Sequence, residues 1–187
     1  MNYFFIISVR AIFTVIFSLV LLSSAVAGDK FSSYVDKKGN ISFPHGFRTS
    51  MVHLGSWFVP EGDASGFHDV YTEKETVQIY QKTGKFPDGA TIVKELRISK
   101  SGGYTTGQNV SHATGSIKQW FVMIKDRKGR FSGNPIWGDG WGWALYKPDN
   151  RSKNVAANYK KDCLGCHVPA KANDWVYIEA YPTLVKE

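Results

Sequence analysis

The sequence predicts an α+β domain, one antiparallel β-sheet with a few helices. Three observations carry this expectation. Short segments of strand-like pattern recur between residues 50 and 146, most of them closed by turn signals. Only two segments, 73–82 and 151–161, read as helical. No internal repeat and no low-complexity segment interrupts the pattern.

Residues 28–46 are polar and turn-rich and read as a lead-in to a domain spanning 47–187. Residues 50–59 are strand-like, and 69–72 continue as a short second strand. Segment 73–82 sets Val77 and Tyr80 among good helix formers, and Gly84 ends it. The turn Phe86-Pro87-Asp88-Gly89 leads into a β segment over 90–99, with Ile92 and Val93. Residues 101–116 are rich in Gly, Ser and Thr and read as a loop or hairpin connection. A strand over 117–125 and a charged turn over 126–130 follow. The Gly- and Trp-rich stretch 137–143 leads into a strand at 144–146, and 148–150 turns. Helix 151–161 is expected to deliver the next segment, and the apolar tail 174–185 to pack back.

Residues 1–27 read as a secretory signal: a single cation at Arg10, an apolar run over 11–22, and Ala25-Val26-Ala27 as a small-x-small cleavage site. The run is short against the roughly 20 residues of a spanning helix, although an uncleaved anchor is an alternative. The expected location is therefore the periplasm. The formal net charge of +7 falls by one when Arg10 is removed. That excess can steer an anionic redox partner or a membrane surface. Nucleic acid is not an expected partner of such an exported protein. Six Trp, nine Tyr and twelve Phe suit the walls of a large flat cofactor, and equally the core of a β-rich domain.

The most informative residues are Cys163-Leu164-Gly165-Cys166-His167, a C-x-x-C-H sequence that uses both cysteines of the chain. This is the attachment site of a c-type haem: each thiol can add to one vinyl group, and the adjacent imidazole can ligate the iron from the proximal side. A C-x-x-C disulfide or redox pair is the competing reading, but it leaves His167 unexplained and lacks a βαβ setting. Export agrees with haem attachment, which in bacteria takes place outside the cytoplasm. No methionine follows the motif. Met51, Met123, His45, His53, His68 and His112 are the candidates for a sixth ligand, each with ordinary packing or surface roles as the alternative. Without one, the iron is five-coordinate and open to small molecules. Lys160, Lys161 and Lys171 form a basic rim near the motif that could dock an acidic partner, or are simply solvated.

Val70-Tyr71, the stretch Tyr80-Gln81-Lys82-Thr83-Gly84-Lys85-Phe86-Pro87-Asp88-Gly89, then Val93-Lys94-Glu95-Leu96, the C-terminal C-x-x-C-H and the closing Tyr181-Pro182-Thr183-Leu184 form a further pattern. Together these segments resemble the cytochrome P-460 family, which includes the β-sheet cytochromes c′ known as cytochrome c′-beta. The resemblance implies an antiparallel domain, usually a homodimer, with one five-coordinate haem c on His167. It further implies oxidation of hydroxylamine, with nitric oxide among the products and a redox partner such as a soluble c-type cytochrome. In the enzymes of the family a lysine is bonded to the haem macrocycle, and Lys94 stands at that position.

Strand alternation puts Lys94 with Ile92 and Leu96 on the more apolar face, and Glu95 on the other. A desolvated lysine loses its proton readily and becomes a nucleophile, whereas a snorkelling lysine stays charged at the surface. One departure stands out. Hydroxylamine-oxidising members place a distal carboxylate four residues before a Lys-Asp pair; here the pair is Lys125-Asp126 and the position is Phe121. Phenylalanine cannot accept a proton, and an apolar Phe-capped pocket resembles the cytochrome c′-beta side of the family, which binds nitric oxide and carbon monoxide. Phe121 could also be plain core. His68, Asp69 and Asp139 are weak substitutes as a base. The sequence thus predicts a haem enzyme acting on hydroxylamine, with a non-catalytic gas-binding protein as the alternative.

Overall fold

The computed structural model describes residues 31–186. The signal read over 1–27 lies outside the described residues. The elements are α1 (Phe47–Ser50), β1 (Val52–Val59), β2 (Gly66–Thr72), α2 (Lys74–Thr83), β3 (Thr91–Tyr104), β4 (Gly107–Lys125), β5 (Trp137–Gly138), β6 (Trp141–Tyr146), α3 (Tyr159–Asp162) and α4 (Leu164–His167). Short 3₁₀ turns at Val168–Asn173, Ile178–Ala180 and Pro182–Leu184 complete the chain. The six strands form one antiparallel sheet in the order β1-β2-β3-β4-β6-β5.

Both faces of the sheet are covered, which explains why its strands carry apolar residues at odd and even positions. One face bears Val70, Ile92, Met123, Trp141 and Trp143, packed beneath Val77 of α2 and the C-terminal tail. The opposite face bears Val93, Trp120, Val122, Ile124 and Tyr146. Residues 31–46, read from sequence as a polar lead-in, supply Ile41 and Phe43 to that second core. The Tyr146 hydroxyl donates to the Ile41 carbonyl at 2.6 Å and anchors the segment.

Helix α2 ends at Gly84 in a left-handed conformation (φ 66°), as the sequence predicts. Three expectations are corrected. Strand β2 starts at Gly66 rather than at 69. Segment 101–116 is paired strand for most of its length: β3 and β4 run together as far as Tyr104 and Gly107, because backbone pairing needs no apolar side chains. Segment 151–161 holds only the single turn α3. Asn154 Oδ1 accepts from the backbone of Leu145 and Ala156, and Asp162 Oδ2 from that of Ala157 and Asn158. These side chains offer the backbone partners that compete with a helical ladder.

The tail crosses β1 at Gly55. A Cβ there would lie 1.9 Å from the Ala180 carbonyl oxygen, so only glycine admits the tail to this face.

Candidate functional site

The return of the tail sets the C-x-x-C-H segment against the sheet face that carries Lys94 and Phe121. Turn α4 follows directly on α3, placing Cys163 half-buried and Cys166 exposed, both as free thiols. Burial pushes the Cys163 thiol up to about 11. His167 Nδ1 lies 2.7 Å from the Trp175 carbonyl oxygen. A carbonyl only accepts, so Nδ1 carries the proton and Nε2 keeps a free lone pair. Burial is the main cause that pulls His167 down to about 4, so it is neutral at physiological pH. The Trp143 and His167 rings pack in a T-shaped arrangement with their centroids 4.9 Å apart.

The carbonyl that orients His167 is itself held in place. Trp175 has a left-handed backbone (φ 67°), uncommon for a bulky residue. Its neighbour Asp174 is fixed by Lys125 Nζ at 2.7 Å and by Trp141 Nε1, which donates to the Asp174 carbonyl at 2.9 Å. Strands β4 and β6 thus position the imidazole through the tail. Tyr177 adds a hydroxyl that donates to the Cys166 carbonyl.

Lys94 sits on β3 directly across from Val70 of β2 and Phe121 of β4. Its Nζ lies 4.1 Å from the centroid of the Phe121 ring. Among the described residues it has no ion-pair partner. Burial lowers its pKa to about 8, against the weaker opposing pull of the Cys166 and Cys163 thiols. Glu95 points to the other face, as alternation predicts, where Arg48, Arg97 and Trp120 hold it.

A cavity of about 270 Å³ lies between sheet and tail, walled by Lys94, Phe121, Met123, Cys163, Cys166 and His167. A second lobe of about 40 Å³ shares Lys94, Phe121, Met123 and His167. The structure therefore brings Lys94, Phe121, Cys163, Cys166 and His167 to one cavity. Of the sixth-ligand candidates, Met123 and His68 line the larger cavity. His68 Nε2 lies 2.6 Å from the Ala64 carbonyl oxygen. Met51 belongs to the other core, His53 is held by Ser56, and His112 by Ser99. Asp69 accepts from Ser56 and faces away from the cavity, and Asp139 accepts from the Tyr159 hydroxyl elsewhere. The sequence reading missed the Trp175 carbonyl, Trp143 and Asp63, all three of which depend on how the tail and the β1–β2 loop fold back.

The donor set fits a haem. Two free thiols and a neutral imidazole with its Nε2 available converge on one aromatic and aliphatic cavity, and that is the chemistry of a covalently held macrocycle with one axial nitrogen. A search of the curated proteins finds no match to this chain. The family model described as Cytochrome P460 matches residues 44–178, well over half of the sequence. The chain belongs to the cytochrome P460 family and is a haem protein of that family.

Proposed function

We propose that this member of the cytochrome P460 family is an exported mono-haem protein that oxidises hydroxylamine. Cys163 and Cys166 would hold the haem through thioether bonds, and His167 Nε2 would be the proximal iron ligand. Residues 1–27 would direct export to the periplasm. A haem so held supplies an iron that binds small nitrogen species and exchanges electrons. Conversion of hydroxylamine to nitric oxide releases three protons and three electrons, the electrons passing to an external acceptor such as a soluble c-type cytochrome. The resemblance to dimeric relatives adds a homodimer to the proposal.

The observation that carries the enzymatic reading is Lys94: a lysine without a counter-ion among the described residues, desolvated, in the same cavity as Cys163, Cys166 and His167. A buried ammonium is costly, and one way to remove the cost is to use the amine as a nucleophile. Lys94 would bond covalently to the macrocycle. The amine and the ring carbon would each lose one hydrogen, and two electrons would go to an oxidant such as hydrogen peroxide.

A second reading has its own observation. Phe121, not a carboxylate, stands beside Lys94, and an apolar wall favours uncharged diatomic ligands over water and anions. The protein would then bind nitric oxide or carbon monoxide without turnover. The optical spectrum of the dithionite-reduced protein, together with its intact mass, separates the two. A strongly red-shifted ferrous Soret band and a mass two hydrogens lower support the cross-linked enzyme. An ordinary high-spin c-type spectrum with unchanged mass leaves nitric oxide binding as the function.

A further inference from the structure

Hydroxylamine oxidation releases protons, and the sheet wall of the cavity offers only one weak acceptor for them, Nδ1 of His68. Phe121, Met123 and Leu96 are apolar. Lys94 is a cation or is bonded to the ring. His68 is tied to the Ala64 carbonyl and stripped of solvent, which lowers its affinity for a proton. Two carboxylates line the cavity, Asp162 and Asp63. Asp162 spends Oδ2 on the backbone amides of Ala157 and Asn158 and serves as the staple of the attachment segment.

Asp63 differs. Among the described residues its carboxylate takes part in no hydrogen bond or ion pair, while the loop that carries it is held by its backbone from two strands. Lys118 Nζ of β4 donates to the Asp63 carbonyl at 3.1 Å and to the Ser65 carbonyl at 3.0 Å. His68 of β2 binds the carbonyl between them, that of Ala64, at 2.6 Å. Three successive carbonyls are thus fixed and the carboxylate is left free at the mouth of the cavity, exposed and able to pass protons to bulk water.

We propose that Asp63 is the proton acceptor of this cavity, entering its rim from the β1–β2 loop that Lys118 of β4 holds, with Lys118 as its positioning residue. The role in turnover rests on the hydroxylamine reading; the role as a base toward a bound ligand does not. The other titratable side chains lining the cavity besides the two cysteines are Lys94 from β3, His68 from β2, Asp162 from α3 and His167 from α4.

The test compares two probes on the haem-loaded protein. Hydrogen cyanide loses a proton on binding ferric iron, and carbon monoxide binds ferrous iron without one. A positioned base is worth about a hundredfold or more. Asp63→Asn should slow cyanide association at least about tenfold and leave carbon monoxide association unchanged, with Asp63→Glu recovering most of the cyanide rate. Lys118→Met should reproduce the cyanide defect, and adding it to Asp63→Asn should cost nothing further. The proposal is overturned if Asp63→Asn leaves the cyanide rate as it was, or slows both probes by the same factor, which would make the loop a steric barrier. Absence of hydroxylamine turnover in the wild type would end the enzymatic reading, yet the cyanide comparison would still decide Asp63.

Discussion

The neutral fraction of Lys94 is the quantity on which the proposed cross-link turns. A lysine at its ordinary pKa of 10.5 is neutral in about three molecules in ten thousand at pH 7, and one at about 8 in about a tenth of them. Burial therefore multiplies the free amine about 300-fold. The sign follows from the lowered value: the amine is protonated below pH 8 and neutral above. Thioether formation removes the two thiols whose ionisation opposes this shift, so attachment of the haem leaves the amine no harder to deprotonate. Hydrogen peroxide added to haem-loaded, unmodified protein should thus generate the red-shifted band at a rate that rises about tenfold from pH 6 to 7 and levels off above about pH 8. Lys94→Met should give no shift at any pH. A rate that climbs without levelling through pH 10 would show an ordinary solvated lysine. A red shift that survives Lys94→Met would refute the assignment of the nucleophile.

Three further outcomes follow from the packing. Phe121→Glu would set a carboxylate directly opposite Lys94 and favour its ammonium form; peroxide-driven conversion at pH 7 should slow at least about tenfold, read from the same band. Glu95→Ala should cost about 3 kcal/mol in urea denaturation at pH 7, because Arg48, Arg97 and Trp120 lose their shared acceptor, and should leave the haem spectrum unchanged from the far side of the sheet. Burial raises the Glu95 pKa, but the hydrogen bonds outweigh it and the net value is lowered, so this stabilisation is complete above the ordinary 4.5 and disappears as pH falls through the lower folded value. Gly55→Ala should lower the thermal midpoint by an amount worth about 1–3 kcal/mol, since a Cβ would meet the Ala180 carbonyl at 1.9 Å and lift the tail that orients His167.

Period-two alternation was enough to place Lys94 and Glu95 on opposite faces, and C-x-x-C-H was enough to group two thiols with an imidazole. Helix α2 was visible in its composition and its closing glycine. The hairpin arm of β3 and β4 was obscured because exposed paired strands need no apolar pattern, and segment 151–161 looked helical because the capping role of Asn154 and Asp162 depends on partners brought in by folding. The contacts that orient the site were hidden for the same reason. The Trp175 carbonyl is a backbone atom with no signature of its own, and Asp63 is an ordinary loop aspartate until Lys118 and His68, distant and near in sequence, fix the loop beside the cavity.

The two functional readings meet at a single cross-strand pair, and magnitudes decide how they balance. The Phe121 ring, 4.1 Å from Lys94 Nζ, attracts an ammonium and so opposes deprotonation, by about 0.5–2 kcal/mol. The fall from 10.5 to about 8 corresponds to about 3.4 kcal/mol in the other direction. Desolvation wins, and the ring can move the levelling point upward by at most about one and a half pH units, still short of an ordinary lysine. Phe121 therefore tempers the nucleophile without silencing it. What Phe121 withdraws from the cavity is a proton acceptor, and that is a separate deficit. A protein with an active Lys94 and no other base would form its cross-link and then turn over slowly; one in which Asp63 supplies the base would do both. On these proposals the cavity chemistry is set by two groups on different elements, Lys94 on the sheet and Asp63 on the loop, and losing either should leave the other's signature intact.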